Sequence, residues 1–94
     1  MIKHFELSSH AAERAQERGF TASATRFVAK RGDVRKLARD GRCAVFISDH
    51  LADVLAERGI DSSFLNECRR VCLIVSGHVV VTVHDGCRTD RRFN

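Results

Sequence analysis

The sequence predicts an α+β fold: an N-terminal helical hairpin packed on a small antiparallel sheet, with an extra helix inserted before a C-terminal β-hairpin. Three observations carry that prediction. Serine or threonine caps and glycine stops bracket two helix-length stretches near the start, "SSHAAERAQERG" and "TASATRFVAKRG". The run "RRVCLIVSGHVVVTVHDG" holds two β-rich segments joined at Ser76-Gly77. Between them, "DHLADVLAERG" repeats Leu51, Val54 and Leu55 at helical spacing. Strands that do not alternate regularly with helices point to an α+β domain with an antiparallel sheet.

In chain order, Ser8 or Ser9 caps a helix running to about Arg18, with Ala11, Ala12 and Ala15 on its inner side and Gly19 as its stop. Phe20 turns inward, and Thr21 caps a second helix to about Arg31 that buries Ala24, Phe27 and Val28. "DVRKLARDGRCAVFIS" reads as two short strands around an Asp40-Gly41 turn, because Cys43 to Ile47 is an apolar, β-rich run. A third helix spans 49–58, and "DSSFLNE" adds a short fourth turn capped by Asp61 or Ser62. The final strands cover about 69–75 and 78–84. Proline is absent, so no rigid linker divides the chain, and residues 1–94 read as one domain with one modest core.

The net charge of +4 is unevenly spread. Residues 26–42 carry a local +5 from Arg26, Lys30, Arg31, Arg35, Lys36, Arg39 and Arg42, residues 43–68 swing to −4, and residues 69–94 return to +3. Thirteen of the sixteen basic residues are arginine, whose planar fork suits phosphate, so Arg26, Lys30, Arg31, Arg35, Lys36 and Arg88 are candidate nucleic-acid contacts. A solvated basic surface is the competing reading of the same charges. The longest apolar run, Val79 to Val83, is interrupted by Thr82 and too short to cross a bilayer, and no charged-then-apolar leader opens the chain. A cytoplasmic protein is therefore expected, with no membrane partner and with Cys43, Cys68, Cys72 and Cys87 as reduced thiols.

A shift of forty residues aligns "LSSHAAERAQERGFTAS" with "ISDHLADVLAERGIDSS" at seven identities in seventeen positions, among them Ser8 with Ser48, His10 with His50 and Gly19 with Gly59. Duplication explains this. So does the limited vocabulary of caps and stops, which the divergence of the following segments favours. The comparison also singles out one stripe. His10, Arg14 and Arg18 lie four residues apart in the first copy, whereas the second has His50, Val54 and Arg58. On that stripe His10 suits general base or acid work near neutral pH, and Arg14 and Arg18 suit holding a phosphate and the charge that builds on it. Alternatively, Arg14 and Arg18 are exposed partners of Glu13 and Glu17, and His10 packs at a helix start.

Along "HVVVTVH" a period of two puts Val79, Val81 and Val83 on a core face, with His78, Val80, Thr82 and His84 opposite. If the first helix packs near that second face, His10, Thr82 and His84 converge with the arginines. Cys68, Cys72, His84 and Cys87 show no Cys-x-x-Cys pair or zinc-knuckle spacing, so no metal is expected. No glycine-rich phosphate loop or Gly-x-Ser-x-Gly occurs, and no cofactor is expected.

"SSHAAERAQERGFT" together with "HVVVTVHDGCRTDRR" resembles a family of small bacterial domains of unknown function. That family opens with a His-Ala-x-x-Arg-x-x-x-Arg-Gly helix and ends in a β-hairpin with a Thr-Val pair followed by basic residues. The matching positions are His10, Ala11, Arg14, Arg18, Gly19, Thr82 and Val83, within the first quarter and last fifth of the chain. The family is in turn similar to small ribonuclease toxins of the RelE and barnase-like fold, which cleave RNA without a metal. The resemblance implies RNA as substrate, His10 or His84 as base or acid, Arg14, Arg18 and Arg88 as phosphate clamps, and a small acidic antitoxin-like partner. The acidic stretch 49–67 departs from the pattern as an insertion between sheet strands.

Two other classes compete with this reading. In "AERAQERGFTASATRFVAKR" the spacing of Ala15 and Gly19 suits a helix-turn-helix that presents Thr21, Ser23, Thr25 and Arg26, although Thr25 stands where that motif needs an apolar residue. A plain protein-interaction module would use the acidic third helix.

Overall fold

A computed structural model describes residues 5–86. It confirms the α+β architecture. The order is β1 (Glu6–Leu7), α1 (Ser9–Glu17), α2 (Ala22–Arg31), β2 (Val34–Leu37), β3 (Cys43–Phe46), α3 (Asp49–Glu57), α4 (Ser62–Arg70), β4 (Val71–Ser76) and β5 (Val79–Asp85). The strands form one sheet in the order β1-β5-β4-β3-β2. The four longer strands are antiparallel, as expected, and the two-residue β1 adds a parallel edge on β5 by pairing Glu6 with Val79 and Leu7 with Val80.

Local chemistry explains the helix limits. The hydroxyls of Ser8, Thr21 and Ser48 and the carboxylate of Asp61 each accept the N–H of the residue three further on, which defines all four helix starts. Gly19 and Gly59 end α1 and α3 at φ of 84° and 91°, in the left-handed region where a side chain is strained. At the β2–β3 turn, Asp40 and Gly41 both take positive φ, as a tight hairpin reversal demands. The predicted short fourth turn is a nine-residue helix, because Leu65 and Cys68 bury one turn apart on the core side. The forty-residue similarity thus extends further in structure than in sequence. Each half runs strand, helix, helix, strand, and α2 and α4 begin forty positions apart.

The core lies on one face of the sheet, where Val45, Leu73, Val75, Val80 and Val83 meet Ala11, Ala15, Phe20, Ala24, Val28 and Leu65. Ala12, predicted to face inward, is exposed, because the buried line of α1 passes through Ala11 and Ala15 one full turn apart. Phe27 is only half-buried and meets Phe64 edge-on at 5.4 Å between centroids.

The all-valine face of β5 is also corrected. Ile74 pairs with Thr82 and Val75 with Val80, so Val81 is an extra residue in β5, a β-bulge. The inserted residue reverses the alternation: Val80 and Val83 are buried completely, while Val79 and Val81 are half-buried.

Cys43 and Cys68 are free thiols, as expected. Cys72 is not, being disulfide-bonded. Cys87 and Arg88 lie outside the described residues. No described helix is long and apolar enough to cross a membrane.

Candidate functional site

The bulge leaves Thr82 and His84 on the sheet face away from the core. Across the strands, Thr82 stands in one row with Ile74 and Ala44. The α1 helix packs along β5, with small residues, Ala11 and Ala15, at the contact. His10 and Arg14 each precede a buried alanine by one position, about 100° round the helix, and Arg18 continues their stripe one turn on at the helix end. The result is a cleft of about 470 Å³ lined by His10, Arg14, Arg18, Arg42, Val81, Thr82 and His84.

All five residues singled out as candidate catalytic groups therefore stand in one cleft, although they come from two elements some seventy residues apart in the chain. Arg42 and Val81 complete it. The stripe on the second copy does not take part: α3 packs on α4, and His50 is exposed away from this cleft.

The polar contacts give each arginine a different setting. Arg14 Nε donates to His10 Nε2 at 3.4 Å, a long bond that makes Nε2 the acceptor nitrogen, and Arg14 Nη1 pairs with Glu17 at 3.2 Å. For Arg14 the surface-pair reading is thus correct, and an exposed pair one turn apart contributes only about 0.3–0.5 kcal/mol. For Arg18 it is not. Its Nε donates to the Val83 carbonyl at 3.0 Å, tying the end of α1 to the half of β5 that β1 leaves uncovered. Among the described residues no carboxylate pairs with Arg18 or Arg42, and none lines the cleft. Three guanidinium groups line this concavity, Arg14 with Glu17 as its partner and Arg18 and Arg42 without one among the described residues, a charge balance that favours an anion.

The end of β5, next to His84, is clamped to α4. The neighbouring Asp85 takes two hydrogen bonds from Arg70, at 3.3 and 2.6 Å, and the Gly86 N–H donates to the Arg70 carbonyl at 2.7 Å. Asp85 raises the affinity of the Arg70 guanidinium for its proton above the ordinary value, chiefly through these bonds. Arg70 also lies over the Phe20 ring at 5.2 Å.

The predicted nucleic-acid contacts on α2 and β2 stand in several local settings. Arg26 and Lys30 flank a second cleft of about 260 Å³ with Phe5, Leu7 and Ala29. Arg35 lies over the Phe5 ring at 5.2 Å, Arg31 over Phe27 at 5.8 Å, and Lys36 is half-buried on β2. The helix-turn-helix reading weakens on geometry. Thr25 is fully buried and donates its hydroxyl to the Thr21 carbonyl, while the Thr21 N–H and hydroxyl both donate to Glu67, at 2.6 and 3.1 Å. The cap of α2 is therefore tied to Glu67 and Thr25 is buried, which leaves only Ser23 and Arg26 of its four groove-facing residues both exposed and uncommitted to the fold. Part of the acidic charge of α3 is engaged too, since Asp49 pairs with Arg69 at 3.0 Å.

Sequence reasoning missed Arg42 and Val81. Arg42 was visible as a basic residue just before a strand, but β3 pairs with β4, not β5, so no local pattern sets it in one cleft with His84. No local signal marks Val81 as a bulge. Among the described residues no group of three or more His, Cys, Asp and Glu side chains is placed to hold a metal ion. No family model, curated protein or solved structure matches the chain.

Proposed function

We propose that the protein is a toxin-like, metal-independent ribonuclease whose active site is the His10–Arg18–His84 cleft. One observation carries the reading: two imidazoles, a hydroxyl and three arginines line a single concavity that contains no carboxylate. Such a set serves proton transfer at an anionic phosphodiester. In the reaction, the RNA 2′-oxygen forms a bond to the adjacent phosphorus, and the bond from phosphorus to the 5′-oxygen breaks. One imidazole takes the 2′-hydroxyl proton and the other protonates the departing 5′-oxygen, leaving a 2′,3′-cyclic phosphate.

His10 suits the base, because its Nε2 is already an acceptor, toward Arg14. Arg14 turns from Nε2 to the phosphate when substrate enters, which releases the lone pair. His84, exposed on β5, suits the acid, and Thr82 lies beside it to donate to a phosphate oxygen. Arg18 is fixed through Nε and directs its remaining guanidinium donors to the charge that grows on the phosphorane. The basic residues outside the cleft suit the flanking phosphates and, in a regulated toxin, a small acidic antitoxin-like protein. RNA as target assigns the protein to the cytoplasm. The free thiols of Cys43 and Cys68 fit that compartment, while the disulfide at Cys72 argues against it.

The test is incubation of the purified protein with mixed RNA in EDTA, beside the His10→Ala and His84→Ala variants. Cleavage by the parent with cyclic phosphate ends, and loss in both variants, is the expected result. Intact RNA with the parent would overturn the reading and leave a non-catalytic nucleic-acid-binding module, with the cleft as its anion site.

A further inference from the structure

The second cleft differs in chemistry from the first. Its floor is apolar, built by Phe5, Leu7 and Ala29, all half-buried against the core, and its rim is cationic, built by Arg26 and Lys30. These two stand four residues apart on α2, hence on one side of it, and both are exposed. Neither pairs with a carboxylate among the described residues. Arg35 approaches the Phe5 ring as well, so three cations gather about one aromatic side chain.

A bare anion would leave the Phe5 and Leu7 surface unused, and a purely apolar ligand would lie against two unpaired charges. A flat ring carrying a phosphate meets both requirements. The ring stacks on the aromatic and apolar floor, and the phosphate accepts from the rim. Arg26, Lys30 and Arg35 were legible as basic residues, but nothing in their spacing joined them to Phe5, which lies more than twenty positions earlier.

We propose that this cleft is a second nucleotide-binding site, in which a base stacks against Phe5 while Arg26 and Lys30 hold its phosphate. The inference rests on the proposed function for its ligand class, a single-stranded RNA. It adds a place outside the reacting cleft where the strand is gripped.

The experiment is a backbone amide NMR titration of the isotope-labelled protein with uridine monophosphate, uridine and inorganic phosphate in turn. Stacking on an aromatic side chain is worth a factor of about five or more per base, so the nucleotide should bind at least about fivefold tighter than phosphate at Leu7, Ala29 and Lys30. In an Arg26→Gln, Lys30→Gln double variant that response should weaken, while shifts at Val81 and Thr82 persist. Equal affinity for inorganic phosphate would reduce the cleft to a cationic patch and overturn the inference, as would a missing response at Leu7 and Ala29 or one the double variant leaves intact. RNA cleavage without a response here sinks only this inference. A local nucleotide response without RNA cleavage sinks only the ribonuclease reading.

Discussion

Substitution of Arg18 should separate two roles that one side chain performs. Its Nε holds the Val83 carbonyl at 3.0 Å, and the rest of the guanidinium lines the cleft. In Arg18→Ala both are lost. A hydrogen bond from a charged donor that is partly solvated stabilises by about 1–1.5 kcal/mol, the low end for charged groups. A domain of this size loses about 4–8 °C of Tm per kcal/mol, so the alanine variant should melt about 4–12 °C lower. In Arg18→Lys the charge remains, but an ammonium is a point donor without a fork and cannot serve the carbonyl and a phosphate from fixed, diverging nitrogens. Its Tm should recover at least half of the alanine loss. Its cleavage should not, because removing one preorganised donor from developing charge costs about 100–1000-fold in rate. Thermal melts followed by circular dichroism, beside single-turnover cleavage of a labelled RNA in EDTA, read both quantities. Full-speed cleavage by the lysine variant would refute the phosphate role, and an unchanged Tm in the alanine variant would refute the anchor.

Cys68 gives a pH prediction. Its burial, reinforced by the charge of Glu67, pushes the thiol up to about 11 from an ordinary 9.0. The folded protein keeps this proton where the unfolded chain has lost it. The contribution is therefore complete below pH 9 and is lost as pH rises from about 9 through about 11, on the order of 2–3 kcal/mol in total. Urea midpoints should fall across that window in the parent and much less in Cys68→Ala, and equal slopes would refute the assignment. The same burial should make Cys68 slower to alkylate than the half-buried Cys43, as peptide mapping after a brief iodoacetamide pulse would show. At Gly32 the backbone is ordinary, with φ of −56°, yet an added Cβ would lie 2.7 Å from Val45 Cγ1 and 2.8 Å from the Val28 carbonyl oxygen. Gly32→Ala should accordingly cost about 1–3 kcal/mol by overpacking, and a melting temperature equal to the parent's would show that the joint between α2 and β2 can yield.

Features that depend on neighbouring residues were legible. Ser8, Thr21, Ser48 and Asp61 cap helices because a side-chain oxygen reaches an N–H three residues away, and Gly19 and Gly59 end them because the left-handed region excludes most side chains. The β-hairpins at Asp40-Gly41 and Ser76-Gly77 follow from the same short-range logic. The stripe of His10, Arg14 and Arg18 was legible as well, since helical periodicity alone puts the three side by side. Less was visible in "DSSFLNECRR", whose polar residues hid a helix that owes its full length to the burial of Leu65 and Cys68 in the core, where α4 packs on α2 and α3.

By itself, then, the sequence determined the caps, the turns, the α+β class and which side chains share a helix face, because each is decided within a few residues. The tertiary structure alone decided which of those faces look at one another. Strand order brought Arg42 toward β5, and the bulge at Val81 chose which β5 residues turn to the cleft, while β1 occupied only the first part of the strand's edge. A single inserted residue reverses the direction of every side chain on one side of it, and strand order is set by pairings between segments far apart in the chain. Neither leaves a mark on the local pattern of residues. For that reason five of the seven residues lining the cleft could be named from the sequence, while Arg42, Val81 and the meeting of all seven depended on the fold.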